Sequence, residues 1–190
     1  MSSDVALSYQ DERPYEMMDG VEYMMASPSV NHMRINSNID SIFNKYLDGK
    51  RCEAFINTNV YFSEEDHFIP DEIIVCNPDI VEDKGINGTP DLVVEILSPS
   101  TATDDRNKKL KKYEKYGVKE YWIVDPRNKL VEVYLLKDGK LELDNVYAHI
   151  TEEERKYLSA KEKAGILTDI KVSLYDDFII NVKDIFKRVK

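Results

Sequence analysis

Cysteine, proline and glycine are scarce in this sequence, and long apolar runs are missing. The 190 residues include 2 cysteines, 7 prolines and 7 glycines. Cys52 and Cys76 form no CxxC pair and have no Cys/His ligand spacing, which argues against a zinc finger or a disulfide scaffold and predicts two buried thiols. No uncharged apolar run approaches the roughly 18 residues of a membrane-spanning helix. We therefore expect a globular protein with no membrane partner.

The chain also lacks the features of a leader segment or a linker. Its first 16 residues mix acidic and basic side chains and have no apolar core of the kind found in signal peptides, which predicts a cytoplasmic protein. No internal repeat or low-complexity tract divides the chain. Its length fits one domain. We expect that domain to cover residues 1–190, with a flexible lead-in at 1–13 and peripheral C-terminal elements at 151–190.

Basic residues are in deficit. The chain has 26 lysines and arginines against 36 aspartates and glutamates, a formal net charge of -10. The summed field repels polyanions, so a nucleic-acid partner must meet a local basic patch. Such a patch is present, because the segment from Arg106 to Lys119 holds 7 of the 26 basic residues.

The hydrophobic pattern predicts an α/β fold. Apolar residues from Ile35 to Tyr46 recur at helical spacing after the N-cap candidate Ser29. Short β-branched and aromatic segments bounded by turn residues predict five strands, CEAFINTNVYF, IPDEIIVC, PDLVVEIL, EYWIVD and KLVEVYLL. A second helix, closed by Gly117, is predicted between the third and fourth strands. This order predicts a mostly antiparallel meander followed by a crossover, with helices on both faces of a central sheet.

Two acidic residues interrupt the apolar strands, Asp71 in IPDEIIV and Glu95 in PDLVVEIL. A carboxylate inside a sheet is costly unless it is paired, hydrogen-bonded or bound to a metal. A register that pairs Asp71 with Glu95 also pairs Val75 with Asp91, and the loop between the strands allows it. Cross-strand neighbours lie about 5 Å apart at Cβ, close enough to share a hard cation such as Mg²⁺. The alternative is that each acid is solvated or caps a turn.

The second helix supplies a cation. Residues placed at 100° intervals put Lys109 on an inner arc with Tyr113 and Tyr116, whereas Lys108 and Lys112 lie outside it. Lys109 either reaches a site on the sheet or packs its stem while its amine extends to water. Replacing it with alanine is expected to change stability little, because alanine favours helix and the change relieves a partly desolvated charge.

Several segments, in order, resemble one known family. PDLVVEILSPST followed by DRNKKLKKYEKYGVKEYWIVDP is similar to the signature of the restriction-endonuclease family called Uma-two, a branch of the PD-(D/E)xK nuclease superfamily. YEMMDGVEYMMASPSVNHMRI resembles the N-terminal motif of that family, with His32 in a matching place, and IPDEIIV resembles its upstream PD strand. Together these segments span roughly residues 15 to 136. The resemblance implies a restriction-endonuclease-like fold, a central mixed β-sheet flanked by helices.

The resemblance also implies a set of site residues. Asp71 and Glu95 would hold Mg²⁺, with Mn²⁺ as a possible substitute. The superfamily pattern places a lysine two residues after the glutamate, where this chain has Leu97. The family is thought to take its lysine from the following helix, and the spacing before the tyrosine selects Lys109 as the third catalytic residue. His32 matches a family histidine, for which a capping or packing role is favoured over catalysis.

An accessory acid is the weakest part of the resemblance. Many family members carry a glutamate directly after the glycine of the N-terminal motif, and this chain has Val21 there. Glu22 is adjacent, but its side chain would point to the other face of a strand.

Two functions follow from these residues. The first is a metal-dependent endonuclease that hydrolyses phosphodiester bonds in nucleic acid, expected to be DNA, with Arg106, Lys108 and Lys112 binding the phosphate backbone. Nucleases of this fold usually cut duplexes as dimers, which implies a homodimer. The second is a catalytically inactive module of the same fold that binds nucleic acid or protein. The net charge and Leu97 favour the second, whereas the acids and Lys109 favour the first.

Overall fold

The computed structural model describes residues 14–98 and 105–190, and the expectation of a flexible lead-in at 1–13 falls outside these ranges. The strands are β1 (Tyr15–Met18), β2 (Val21–Met24), β3 (Glu53–Ile56), β4 (Val60–Tyr61), β5 (His67–Phe68), β6 (Glu72–Val75), β7 (Val81–Glu82), β8 (Gly85–Asn87), β9 (Leu92–Ile96), β10 (Glu120–Asp125), β11 (Leu130–Lys137), β12 (Lys140–Ala148), β13 (Asp169–Lys171) and β14 (Ile179–Asn181). The helices are α1 (Val30–Leu47), α2 (Leu110–Tyr116), α3 (Glu152–Lys156), α4 (Ala160–Gly165) and α5 (Val182–Ile185). A π-helical turn, Asp105–Lys109, leads directly into α2.

The main sheet has the topology that the sequence predicts. Its strand order is β12-β11-β10-β9-β6-β3, in which β9 and β10 are parallel and the other neighbours are antiparallel. The parallel pair is joined through α2, as a crossover requires. Every residue of β9 is buried, because α1 covers one face of the sheet and α2 the other. The predicted meander, crossover and two-faced packing are confirmed.

A second sheet, absent from the sequence-based prediction, packs beside the first. Its order is β2-β1-β5-β4-β8-β7, and its strands are two to four residues long. Strands this short contain too few residues to display a period of two. The predicted strand CEAFINTNVYF is divided, because Glu53–Ile56 is β3 of the main sheet and Val60–Tyr61 is β4 of this one. This sheet places β1 next to the helix that carries Lys109.

The long helix α1 begins and ends as predicted. The Ser29 hydroxyl accepts a hydrogen bond from the backbone N–H of His32, and the helix ends before Asp48-Gly49, where the glycine has φ +71°. Its inner face buries Ile35, Ile39 and Phe43 against the main sheet.

The C-terminal segment is part of this core rather than peripheral. Ile170 and Ile180, which face each other across the β13–β14 pair, are buried with α1 against the main sheet. The same core buries a further set of C-terminal side chains, Val172, Phe178, Val182, Ile185, Phe186 and Val189. In the sequence these residues form short apolar groups between charges, and their joint burial depends on the hairpin folding back onto α1. Only α3 and α4 stay at the surface, as the charge of residues 151–163 predicts.

The two cysteines form a disulfide, which corrects the expectation of two free thiols. Cys52 directly precedes β3 and Cys76 directly follows β6. The β3–β6 register pairs Glu53 with Val75, and continuing it by one residue sets the two cysteines opposite each other. Their Cα atoms lie 4.0 Å apart. Two cysteines separated by 24 residues are neighbours only through this strand register, so their spacing in the sequence gives no sign of the bond.

Candidate active site

Asp71 and Glu95 lie close together on the main sheet. The β6–β9 register pairs Glu72 with Val94, and continuing it by one residue sets Asp71, which directly precedes β6, opposite Glu95 of β9, as the sequence predicts. The backbone N–H of Ile96 donates to Asp71 Oδ2 at 2.7 Å, which fixes the aspartate beside the glutamate. Asp71 is 8% exposed and Glu95 5% exposed. The main sheet thus holds two buried carboxylates at one point.

Lys109 points into this site. Its Nζ lies 3.0 Å from Glu95 Oε1, 2.8 Å from Glu16 Oε1 and 3.8 Å from Asp105 Oδ1. The residue is 6% exposed, so the alternative in which the amine extends to water is wrong. Lys109 is the last residue of the π-helical turn, and one turn later the Tyr113 hydroxyl donates to Glu95 Oε1 at 2.6 Å. One helix face therefore delivers two donors to the same carboxylate oxygen.

Glu16 is the site residue that sequence reasoning missed. Its Oε1 accepts hydrogen bonds from Lys109 Nζ and from the backbone N–H of Ile69 at 3.0 Å. The β1–β2 register pairs Glu16 with Tyr23, so Glu22 points to the opposite face, as expected for a strand. Glu16 shares a strand face with the buried Met18, but that burial is visible only in the structure, so the sequence carried no signal for Glu16.

His32 reaches the site from the first turn of α1. Its Nε2 lies 2.6 Å from Asp71 Oδ1, while its backbone N–H satisfies the Ser29 cap. Asp71 is therefore held through both of its oxygens, by His32 on one side and by Ile96 on the other. The contact between the His32 ring and Asp71 goes beyond the capping or packing role that the sequence favoured.

The charges of the site are unbalanced. Burial raises the pKa of Glu95 well above its usual range, against the opposing attraction of Lys109, and Asp105, Glu16 and Asp71 raise it further. Burial acts to lower the pKa of Lys109, but Glu95, Glu16 and Asp105 outweigh it and raise that pKa well above the usual value. Lys109 is therefore a cation among four acids. This excess of negative charge is what a divalent cation would neutralise.

The donor set suits a hard cation with few protein ligands. Within residues 14–98 and 105–190, no group of three or more His, Cys, Asp and Glu side chains is arranged to hold a metal ion. Asp71 and Glu95 therefore have to act as a pair. Mg²⁺ commonly binds one or two carboxylates and completes its shell with water and substrate phosphate, so two buried carboxylates fit it.

Arg106 and Lys112, which were predicted to bind phosphate, form ion pairs within the chain. Arg106 binds Glu132 Oε1 at 2.6 Å. Lys112 binds both carboxylate oxygens of Asp66, at 2.8 and 2.9 Å, and its side chain is only 11% exposed. The prediction that Lys112 lies on the outer arc of the helix is wrong, because its amine binds the buried Asp66 between β4 and β5. Lys108 is exposed, with Nζ 5.6 Å from the centre of the Tyr23 ring.

The Lys112 contact changes the pKa of its partner, Asp66. Although burial opposes ionisation, hydrogen bonds from Lys112 and Tyr116 lower the pKa of Asp66 to about 2. The basic segment is thus used in part to attach α2 to the second sheet.

Comparison with known proteins assigns this chain to a family. The Uma2 model, described as a putative restriction endonuclease, matches residues 5–160. The chain belongs to the Uma2 family. This confirms the resemblance that its motifs show.

Two similar proteins come from Synechocystis sp. (strain ATCC 27184 / PCC 6803 / Kazusa). The uncharacterized protein slr1290 is 30% identical over 133 residues, which cover 65% of this chain and 67% of the relative. The uncharacterized protein sll1609 is 27% identical over 124 residues, covering 63% and 70%. A crystal structure of a putative nuclease belonging to DUF820 from Anabaena variabilis ATCC 29413 has the same fold, with a TM-score of 0.69 at 21% identity over 92% of this chain and 90% of that one. The predicted restriction-endonuclease-like α/β fold is confirmed.

The described helices of this Uma2 protein do not include one with the length and apolar character needed to cross a membrane.

A buried acid behind the Uma2 site predicts a pH-dependent stability. Glu72 follows Asp71 but faces α1, is 0% exposed, and has no hydrogen-bond partner for either carboxylate oxygen within the described residues. Burial, reinforced by Asp40 and Asp71, raises its pKa from 4.5 to about 9. The unfolded chain therefore releases this proton near pH 4.5, whereas the folded protein keeps it until about pH 9. Between these values the free energy of unfolding should fall as pH rises.

Glu72→Gln should remove this loss. Urea denaturation at pH 5, 7 and 9 is expected to show the variant gaining on the wild type by a few kcal/mol as pH rises. Glu53→Gln, at an exposed position on the adjacent strand β3, is the matched control. Parallel pH curves for wild type and Glu72→Gln would contradict the assignment.

Proposed function

We propose that this Uma2 protein is a metal-dependent endonuclease that hydrolyses phosphodiester bonds in nucleic acid, with DNA as the expected substrate. The observation that carries this proposal is that Asp71, directly before β6, lies opposite Glu95 of β9, with Lys109 Nζ 3.0 Å from Glu95 Oε1. The family description and the fold support the same activity.

The carboxylates would hold the metal. Asp71 and Glu95 would bind Mg²⁺ or Mn²⁺, which supplies Lewis-acid stabilisation of the scissile phosphate and a more acidic water. Lys109 and Tyr113 hold Glu95 in place by donating hydrogen bonds to its Oε1. His32 fixes the orientation of Asp71 by binding its Oδ1.

Lys109 is assigned an electrostatic role. Its raised pKa keeps the ammonium charged, which suits a group that neutralises the developing charge on the phosphate and orients the attacking water. Glu16 holds the amine in place at 2.8 Å. Leu97 stands where the superfamily pattern has its lysine, and it is a buried core residue. We therefore assign the role of that lysine to Lys109.

A cleavage assay tests the proposal. Supercoiled plasmid, labelled single- and double-stranded DNA, and RNA would be incubated with the protein and Mg²⁺, Mn²⁺ or EDTA. We expect cleavage that requires metal and is lost in Glu95→Gln, purified in parallel to exclude contaminating nuclease. Asp91→Asn is the control, since Asp91 lies four residues before Glu95 and binds Lys119 at 2.7 Å.

The inactive binding module is the second candidate function. The net charge of -10 and Leu97, which stands where the superfamily pattern has its lysine, favour it. Absence of cleavage in every arm of the assay, with retained nucleic-acid binding by fluorescence anisotropy, would replace the first proposal with the second. The predicted homodimer stays a prediction, which light scattering can test.

A further inference from the structure

The β1–β2 hairpin presents two tyrosines of nearly equal exposure on opposite faces. The register pairs Glu16 with Tyr23 and Tyr15 with Met24, so Tyr23 shares a face with Glu16 and Tyr15 points the other way. Tyr23 is 39% exposed and Tyr15 40% exposed. Because Glu16 binds Lys109, Tyr23 lies at the rim of the candidate active site, whereas Tyr15 does not.

A cation accompanies the Tyr23 ring. Lys108 Nζ lies 5.6 Å from the ring centre, and Lys108 directly precedes the buried Lys109 along the chain. An exposed aromatic face beside an ammonium is the combination with which proteins bind single-stranded nucleic acid, since a base stacks on the ring while the cation meets the backbone.

Much of the rest of the basic segment is already paired with acidic side chains. Arg106 and Lys112 bind Glu132 and Asp66, and the molecule as a whole is acidic. Duplex binding draws on many phosphate contacts, whereas stacking contributes affinity that does not depend on a large positive surface. The charges therefore favour a substrate whose bases are accessible.

We propose that Tyr23 is a stacking platform for an unpaired nucleobase next to the scissile phosphate, and that the preferred substrate is single-stranded or locally unpaired nucleic acid. This inference rests on the proposed nuclease function. It assigns to the hairpin the choice of substrate and leaves the hydrolytic step to the acids and Lys109.

Binding without cleavage tests it. The probes are a fluorescein-labelled single strand and a duplex of the same sequence, with about 12 nucleotides per strand, which is within the site sizes of single-strand binders. Each probe would be titrated with protein in the presence of Ca²⁺, and binding would be followed by fluorescence anisotropy. Wild type should bind the single strand more tightly than the duplex. Tyr23→Ala should weaken single-strand binding about tenfold, whereas Tyr23→Phe should stay within about twofold of wild type.

Tyr15→Ala is the matched control, with the same residue type, hairpin and exposure on the other face, and it should bind like wild type. Tyr23→Thr, which retains strand preference, should repeat the loss seen with alanine, and far-UV circular dichroism checks folding of each variant. Equal losses of affinity in Tyr15→Ala and Tyr23→Ala, tighter binding of the duplex, or no single-strand binding by wild type would each overturn the proposal. So would a Tyr23→Ala variant whose mass by light scattering changes while its affinity does not.

The outcomes separate this inference from the proposed function. Tyr23-dependent binding in a protein that cleaves nothing supports the stacking platform and removes the nuclease. Metal-dependent cleavage that is unaffected in Tyr23→Ala, with unchanged single-strand affinity, keeps the nuclease and removes the platform.

Discussion

Lys109→Gln is expected to abolish cleavage and to destabilise the folded protein at the same time. The substitution keeps much of the side-chain length but removes the charge that lies 3.0 Å from Glu95 and 2.8 Å from Glu16. Loss of a preorganised cation at a reacting phosphate lowers kcat by about 100-fold or more. Cleavage of a labelled oligonucleotide under single-turnover conditions measures this loss.

The stability effect revises the sequence-based expectation of little change. That expectation treated Lys109 as a partly desolvated charge whose removal brings relief, but the side chain is 8% exposed and contacts three carboxylates. Its removal leaves Glu16, Glu95 and Asp105 without their shared cation, which costs on the order of 3 kcal/mol in comparable buried pairs. Protonation of Glu95 should recover part of the loss, so urea denaturation should show a smaller effect at pH 5 than at pH 8.

Lys111→Gln provides the matched control for Lys109→Gln. Lys111 lies on the same helix and is exposed. Its substitution should leave the free energy of unfolding within about 0.5 kcal/mol of wild type, as usual for a surface position. If both variants lost activity equally, the helix would contribute only general charge, and an active Lys109→Gln would remove Lys109 from the site.

Local patterns predicted the parts of the site that a single element or one strand pair determines. Helical periodicity is enough to turn Lys109 inward, because its angle relative to Tyr113 is fixed by the helix itself. The register of Asp71 and Glu95 follows from one pairing of adjacent strands. The same reasoning gave the caps of α1 and the crossover after β9, each of which depends on residues close together in the sequence.

The parts that were missed depend on contacts between distant segments. Glu16 reaches Lys109 across 93 residues, and Lys112 meets Asp66 across 46. No periodicity within either segment carries that information. The Cys52–Cys76 bond likewise depends on the β3–β6 register. A short second sheet brings these segments together, and its strands are too brief to recognise from alternation alone.

Asp71→Asn is expected to abolish both Mn²⁺ binding and cleavage while preserving the fold. Asparagine has nearly the same shape and can still accept the hydrogen bond that Ile96 donates to Asp71 Oδ2 at 2.7 Å, so the strand contact survives. What is lost is one of two anionic ligands, and a hard cation held by only two carboxylates cannot compensate from other protein groups. Isothermal titration calorimetry should detect a single Mn²⁺ site in wild type and none in the variant.

Thermal unfolding gives an independent readout of the same prediction. Mn²⁺ that binds only the folded protein should raise the Tm of wild type with increasing concentration and leave the Tm of Asp71→Asn unchanged. Asp91→Asn, a matched substitution directly before β9 with its carboxylate bound to Lys119, should retain both the calorimetric site and the shift of Tm. Equal Mn²⁺ affinity in Asp71→Asn and wild type would place the metal elsewhere. Asp71 would then be a structural partner of His32, whose Nε2 lies 2.6 Å from its Oδ1.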